Sequence, residues 1–286
     1  MNQFDRRALF TSGAAAALLV ATGVSAQTVP HRGGRLRAAL SGAARSDYWG
    51  TADGAFMQAA RGAVFETLTE IAGDGTLHGD IAQSWETNDG GKTWSFLIHP
   101  SVMFHDGIAL HFDDLVSLFG RHSSLDVHGV SVGRTDQIFV TLNEVNHSFP
   151  YLLADPRFAV LPAQASRQAV GIGTGLYRSH RFQAGQQFIG TRVPKHRKDM
   201  SAGWFDEVEL VCISAEEVRA EALRIGLVDV ADISALDSYS DPEEFQLLPN
   251  VQSVQQVVRH SIAQPNVIGQ LWPLDNTRMA TRWWMT

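Results

Sequence analysis

Histidine is the residue type in this sequence most able to carry chemistry, because the chain has 11 of them and five fall within thirty residues. Neutral imidazole binds nickel, copper, zinc and iron. No two of these five stand four residues apart, the spacing that would place two ligands on one helix face. We therefore expect dispersed structural histidines, with no metal site and no cofactor. The five are His99, His105, His111, His122 and His128.

Catalytic motifs are sparse in this chain, which argues against an enzyme. The sequence contains no His-Glu-x-x-His metal motif. The acidic pairs Asp113-Asp114 and Glu216-Glu217 stand where helices are predicted to begin, and the helix dipole favours negative charge there. The single cysteine, Cys212, lies in an apolar strand pattern, which indicates a buried small side chain rather than a reactive thiol. We expect no catalytic residues.

Two short polar segments are the best candidates for ligand contacts. Asp47, Tyr48 and Trp49 lie in a loop that follows the first predicted strand, and binding residues concentrate on loops. Aromatic rings can wall a pocket and a carboxylate can pair with an amine. Alternatively, Tyr48 and Trp49 anchor this loop to the core. Thr174 and Gly175 lie in a glycine-rich turn that is equally consistent with a ligand contact and with an architectural role.

The elements that must position these residues mix strands and helices without strict alternation. Apolar positions repeat with period two in the predicted strands and with helical spacing in the predicted helices. This order indicates a mixed α/β (α+β) fold class. The strands are predicted at residues 36–40, 94–98, 137–142 and 208–213, and the helices at 55–69, 112–119 and 215–225.

Composition narrows the class of protein further. The 286 residues are 44% hydrophobic and 19% charged, which excludes a fully disordered chain. The formal net charge of -7 leaves no basic surplus to neutralise a phosphate backbone, so we expect no nucleic-acid partner. One cysteine excludes an intramolecular disulfide framework.

The first 26 residues have the pattern of an export signal. Arg6 and Arg7 precede an uncharged run at 13–24, and Val24-Ser25-Ala26 provides the small-x-small site that signal peptidase accepts. The run is shorter than the roughly 20 apolar residues of a transmembrane helix. The arginine pair loosely matches a twin-arginine signal, so the Sec and twin-arginine routes both stay open. We expect a mature periplasmic protein, the alternative being an N-terminal helix of the folded domain.

Three sequence blocks stand in a fixed order and spacing between residues 35 and 235. The blocks are Val64-Phe65-Glu66-Thr67-Leu68-Thr69-Glu70 with Ile81-Ala82-Gln83-Ser84-Trp85-Glu86, Gly173-Thr174-Gly175-Leu176-Tyr177, and Gly203-Trp204-Phe205-Asp206-Glu207-Val208. In this order the blocks closely resemble family 5 of the bacterial extracellular solute-binding proteins, the peptide and nickel binders of ABC importers. That family usually has proline where the second block has Leu176.

This resemblance implies a periplasmic binding protein type II-like fold, of which the chain would supply lobe one only. Family members have two lobes, and the arginine-containing motif that normally opens the second lobe is missing here. We expect lobe one over residues 27–235 and a C-terminal tail over 236–286 that packs on lobe one.

The resemblance also implies a function. The expected role is capture of peptides or similar small solutes for the permease subunits of an ABC transporter, with no chemical step and with membrane contact only through the permease. The alternatives are a non-transporting periplasmic interaction protein and a nickel or haem carrier.

Overall fold

A computed structural model describes residues 33–50, 54–71, 76–133, 136–199 and 202–234, together with the backbone of 245–248 and 255–259. The predicted export signal lies outside the described residues, as does the predicted tail apart from two backbone strands. Within the described ranges, no helix combines the length and the apolar character needed to cross a membrane.

The larger of the sheets has seven strands in the order β12-β13-β11-β1-β10-β9-β8. Strand β1 runs parallel to β10 and β11, and the remaining pairs are antiparallel. The strands of this large sheet are β1 (Arg35–Leu40), β8 (Tyr177–Gln183), β9 (Gln187–Arg192), β10 (Glu207–Cys212), β11 (Val230–Ile233), β12 (Phe245–Leu248) and β13 (Gln255–Arg259).

A small sheet of four antiparallel strands, in the order β4-β5-β7-β6, is inserted between β1 and β8. A two-stranded ribbon, β2 with β3, precedes it along the chain. These strands are β2 (Thr69–Ile71), β3 (Leu77–Gly79), β4 (Ala82–Thr87), β5 (Thr93–Ile98), β6 (Val127–Val132) and β7 (Gln137–Leu142). The helices are α1 (Gly54–Val64), α2 (Phe112–Arg121), α3 (Phe149–Leu152), α4 (Ala165–Ala169) and α5 (Glu216–Arg224).

Helices cover both faces of the large sheet, and the side chains of β1 therefore alternate between two cores. Leu36, Ala38 and Leu40 belong to the core that contains the residues of α1. Ala39 belongs instead to a core with Leu223 of α5. A strand buried on both faces is typical of a parallel pairing, and this arrangement fixes β1 at the centre of the sheet.

Helix α2 packs against the small sheet and forms a separate core. Leu115 and Leu118 of the helix are buried with Phe96 of β5 and with Ile138 and Val140 of β7. The strict alternation of Ile138 and Val140 along β7 places both on the face that α2 covers.

The start of α2 agrees with the sequence interpretation of its acidic pair. Asp113 and Asp114 lie in the first turn. The Asp114 carboxylate accepts hydrogen bonds from the backbone N–H of His111 (2.9 Å) and of Ala163 (2.7 Å). The carboxylate therefore stabilises the helix start and also ties it to the chain that follows the small sheet.

Helix α1 ends earlier than its apolar spacing predicts. The predicted helix continued to residue 69, but the observed helix ends at Val64. The Val64 carbonyl accepts the Gly175 N–H (2.8 Å), and the Thr67 hydroxyl donates to the Thr69 carbonyl (2.7 Å). Long-range and side-chain hydrogen bonds thus replace the next helical turn, which the local pattern could not reveal.

Candidate functional site

The carboxyl ends of the three mutually parallel strands meet at one edge of the large sheet. We call this the carboxyl edge: residues 41–50 after β1, 213–215 after β10 and Ser234 after β11. In open α/β sheets, ligands bind in the crevice outside the carboxyl ends of the strands. The carboxyl edge is therefore a candidate functional site.

The base of the carboxyl edge is a buried polar group that ties the three strand ends together. The Asp232 carboxylate accepts the backbone N–H of Ser41 (3.0 Å) and also its hydroxyl. Arg219 Nε lies 2.6 Å from Asp232 Oδ1, and its Nη1 donates to the carbonyls of Ile213 (2.7 Å) and Ser214 (3.0 Å). Burial raises the pKa of Asp232 above its ordinary value, although Ser41 and Arg219 oppose the shift. The edge thus has a rigid, hydrogen-bonded floor.

Asp47 shapes the loop that stands on this floor. Its carboxylate accepts the Ala44 N–H (2.7 Å), and its own N–H donates to the Ala44 carbonyl (3.0 Å). Gly185, in the turn between β8 and β9, lies so close to the loop that a Cβ there would come within 2.9 Å of the Ala44 backbone. The loop is therefore closed on itself and held against its neighbour.

Trp49 and Tyr48, the two aromatic residues of the loop, differ in solvent exposure. Trp49 is 2% exposed, and its ring lies 4.5 Å from Phe182, 5.7 Å from Phe65 and 5.8 Å from Phe188 between centroids. Tyr48 is 62% exposed. Trp49 therefore packs the loop onto the core, and Tyr48 is the aromatic side chain that the loop presents to solvent.

Thr174 and Gly175 lie at the opposite end of the large sheet from this loop. They precede Tyr177, which pairs with Arg192 near the amino ends of β1 and β10. Thr174 is 1% exposed, and a Cβ on Gly175 would come within 2.6 Å of the Ala63 carbonyl oxygen. The structure places Asp47, Tyr48 and Trp49 on one loop, and a Cβ on Gly171 would come within 2.6 Å of the Trp49 ring, whereas Gly175 lies against the end of α1. Ligand contact at Thr174 and Gly175 stays a prediction.

Two histidines bracket that glycine turn. His105 Nε2 donates to the Gly175 carbonyl (2.8 Å), and His196 Nε2 donates to the Thr174 carbonyl (2.9 Å). Burial lowers the pKa of His105 to about 4 and also lowers the pKa of His196. Both rings are therefore neutral donors at pH 7.

A buried group of charges, which we call the junction cluster, connects the large sheet to the small-sheet region. Arg197 lies 2.6 Å from Glu66 and 2.7 Å from Asp80, and Lys198 lies 2.5 Å from Asp80 and 2.9 Å from Glu70. The two basic residues follow β9, whereas Glu66 precedes β2, Glu70 lies within β2 and Asp80 follows β3. Sequence reasoning missed this cluster because Arg197 stands 131 residues from Glu66 and 117 from Asp80.

The described ranges contain no group of three or more His, Cys, Asp or Glu side chains placed to hold a metal ion. His99 accepts from the Ser101 N–H (3.2 Å), and His105 bonds the glycine turn. Cys212 is half-buried in β10.

Comparison with known proteins places this arrangement in a family. Residues 76–268 match the family model described as bacterial extracellular solute-binding proteins, family 5 middle. The chain is 26% identical over 198 residues to the probable D,D-dipeptide-binding periplasmic protein DdpA of Escherichia coli, covering 60% of this chain and 38% of that protein. It is 28% identical over 145 residues to the HTH-type transcriptional regulator SgrR of Shigella dysenteriae, covering 45% of this chain and 26% of that protein.

Solved structures share the fold. The periplasmic binding protein AgaA of A. tumefaciens R10, in complex with agropinic acid, superposes with a TM-score of 0.67 at 23% identity, over 76% of this chain and 48% of that one. DppA from Helicobacter pylori, in complex with the peptide STSA, gives a TM-score of 0.64 at 16% identity, over 76% and 51%. The chain thus spans about half of these structures, and less of the curated relatives. Because the family match runs over more than half of the chain, the protein belongs to family 5 of the bacterial extracellular solute-binding proteins.

Proposed function

We propose that this protein is a periplasmic solute-binding component of an ABC importer, and that its carboxyl edge forms one wall of the solute site. The observation that carries the proposal is the loop at 41–50, which stands on the buried Asp232–Arg219 floor and presents Tyr48 to solvent. Family membership and the peptide named in the DppA structure support peptides or similar small solutes as the ligand class.

The contacts available at the carboxyl edge suit a peptide. Backbone groups of the loop can hydrogen-bond an extended chain, and the exposed Tyr48 ring can cover an apolar side chain. Asp47 can approach an ammonium group, although one of its oxygens is already held by Ala44. Binding of this kind tolerates many side chains, because the peptide backbone supplies most of the recognition.

Delivery to a permease follows from the same proposal and involves no chemical step. The protein would reach the periplasm through its predicted export signal and meet the inner membrane only through permease subunits. A second candidate is a non-transporting role, which the match to a transcriptional regulator supports. Uptake assays separate them, since both permit solute binding but only the first requires transport.

Truncation of the exposed tyrosine should weaken peptide binding. We expect Tyr48→Ala to raise the Kd of a bound peptide about tenfold, because an aromatic contact of about 1.4 kcal/mol is lost. Isothermal titration calorimetry with the full chain and one defined peptide measures the change.

Tyr151→Ala is the matched control, because Tyr151 is 50% exposed and lies in α3, outside the carboxyl edge. It should leave the Kd unchanged. Equal affinities for Tyr48→Ala and wild type would move the site away from the loop. Absence of any peptide binding by wild type would contradict the proposed function itself.

A further inference from the structure

A cleft of about 470 Å³ opens between the first turn of α2 and the end of the small sheet. This volume falls within the range of small-molecule sites, roughly 300–1,000 Å³. Its apolar walls include Leu110, Phe112 and Val132, and its lining also includes His99, His111 and Asp136. Apolar walls with a few polar groups are typical of a ligand pocket. The cleft belongs to the small sheet and is separate from the carboxyl edge of the large sheet.

Backbone pairing places two of the polar groups side by side. The Ile98 N–H donates to the Asp136 carbonyl (2.6 Å), so His99 and Asp136 flank the same end of the small sheet. His99 Nδ1 accepts from the Ser101 N–H (3.2 Å) and lies 2.8 Å from its hydroxyl. The ring proton is therefore on Nε2, which is the nitrogen left to donate to a ligand.

The described residues that line the cleft carry a negative formal charge. Within the described part of the chain, Asp136 is the one formally charged side chain among the residues that line the cleft. It is exposed at the edge of the cleft, where a ligand can reach it without breaking the fold. A carboxylate beside an apolar wall complements a cation that carries an apolar body.

We propose that this cleft binds small primary amines with an aromatic or aliphatic body. The ammonium group pairs with the Asp136 carboxylate, and the body lies against Leu110, Phe112 and Val132. His99 Nε2–H donates to an acceptor on ligands that carry one. The site is independent of peptide capture at the carboxyl edge.

The test compares two probes of the same size with the full chain. 2-Phenylethylamine carries the ammonium group, and 2-phenylethanol replaces it by a neutral hydroxyl. Isothermal titration calorimetry should give a Kd about threefold lower for the amine, since the alcohol cannot pair with the exposed Asp136 carboxylate. Equal affinities of the two probes, or no binding of the amine at millimolar concentration, would overturn the proposal.

Three variants locate the binding. Asp136→Asn should remove the preference for the amine, whereas Asp113→Asn, an exposed carboxylate on the first turn of α2 that does not line the cleft, should leave it unchanged. Val132→Trp fills the cleft from a half-exposed position and should abolish binding of both probes while the melting temperature stays near that of wild type. Unchanged amine affinity in Asp136→Asn or in Val132→Trp would place the amine elsewhere and refute the site.

Discussion

Replacing Arg197 by methionine should cost the protein about 3 kcal/mol or more of unfolding free energy. The guanidinium lies 2.6 Å from Glu66 and 2.7 Å from Asp80, whose side chains are 3% and 0% exposed. Removing one partner of a buried ion pair leaves uncompensated charge, a loss that typically reaches 3–5 kcal/mol. In Arg197→Met, three carboxylates would face the single ammonium of Lys198. Urea unfolding of the full chain measures the difference.

The matched control is the same substitution at a surface pair. Arg157 lies 2.5 Å from Asp155, but its side chain is 67% exposed. Such pairs contribute about 0–1 kcal/mol because water already solvates both charges. A loss in Arg197→Met no larger than the loss in Arg157→Met would show that the junction cluster does not hold the β2–β3 ribbon to the large sheet.

A second variant tests whether the lost stability comes from buried carboxylates that Arg197→Met leaves without a countercharge. Adding Glu66→Gln to Arg197→Met removes one of the uncompensated carboxylates and should recover part of the lost stability. Additive losses in this double-mutant cycle would mean that Arg197 and Glu66 contribute independently.

Acid should destabilise the protein through His105 between pH 6.5 and pH 4. Burial lowers the pKa of this ring to about 4, against an ordinary value of 6.5. The unfolded chain takes up the proton near pH 6.5, but the folded chain takes it up only near pH 4. Within that window the unfolded state binds more protons, so stability falls as the pH falls. A shift of this size corresponds to about 3 kcal/mol, fully present above pH 6.5.

His105→Gln isolates this contribution. The amide can still donate to the Gly175 carbonyl but does not titrate, so the variant should lose about 3 kcal/mol less stability than wild type between pH 7 and pH 4. His128→Gln changes an exposed histidine of β6 in the same way and should follow the wild-type curve. Parallel pH dependences for wild type and His105→Gln, measured by urea unfolding, would contradict the role of His105.

The family and its elements could be predicted because they rest on local patterns. Period-two alternation over residues 137–142 predicted β7 with its observed bounds. The predicted helix at 215–225 corresponds to α5 within one residue at each end. Hydrophobic periodicity reports which face of an element is buried, and that information is complete within a few residues.

The candidate site could be predicted only in part. The loop at 41–50 follows β1 in sequence, so a strand pattern and polar composition were sufficient to select it. The sequence could not predict that Trp49 is buried and Tyr48 exposed, since this depends on Phe182 and Phe188, more than a hundred residues further along the chain. Adjacent residues with similar side chains differ in exposure only once the tertiary packing exists.

The sequence by itself determined the membership of the family, the mixed α/β class and the positions of most strands and helices, because motifs, turns and periodicity are local. The tertiary structure alone decided that β1 lies between β10 and β11, that their carboxyl ends converge on the Asp232–Arg219 floor, and that Arg197 meets Glu66 across 131 residues. It also placed the glycine turn at the far end of the sheet from Tyr48. Contacts between distant segments depend on the topology of the chain. The burial of an ion pair such as Arg197 with Glu66 also depends on both partners leaving water together. The spacing of neighbouring residues encodes neither.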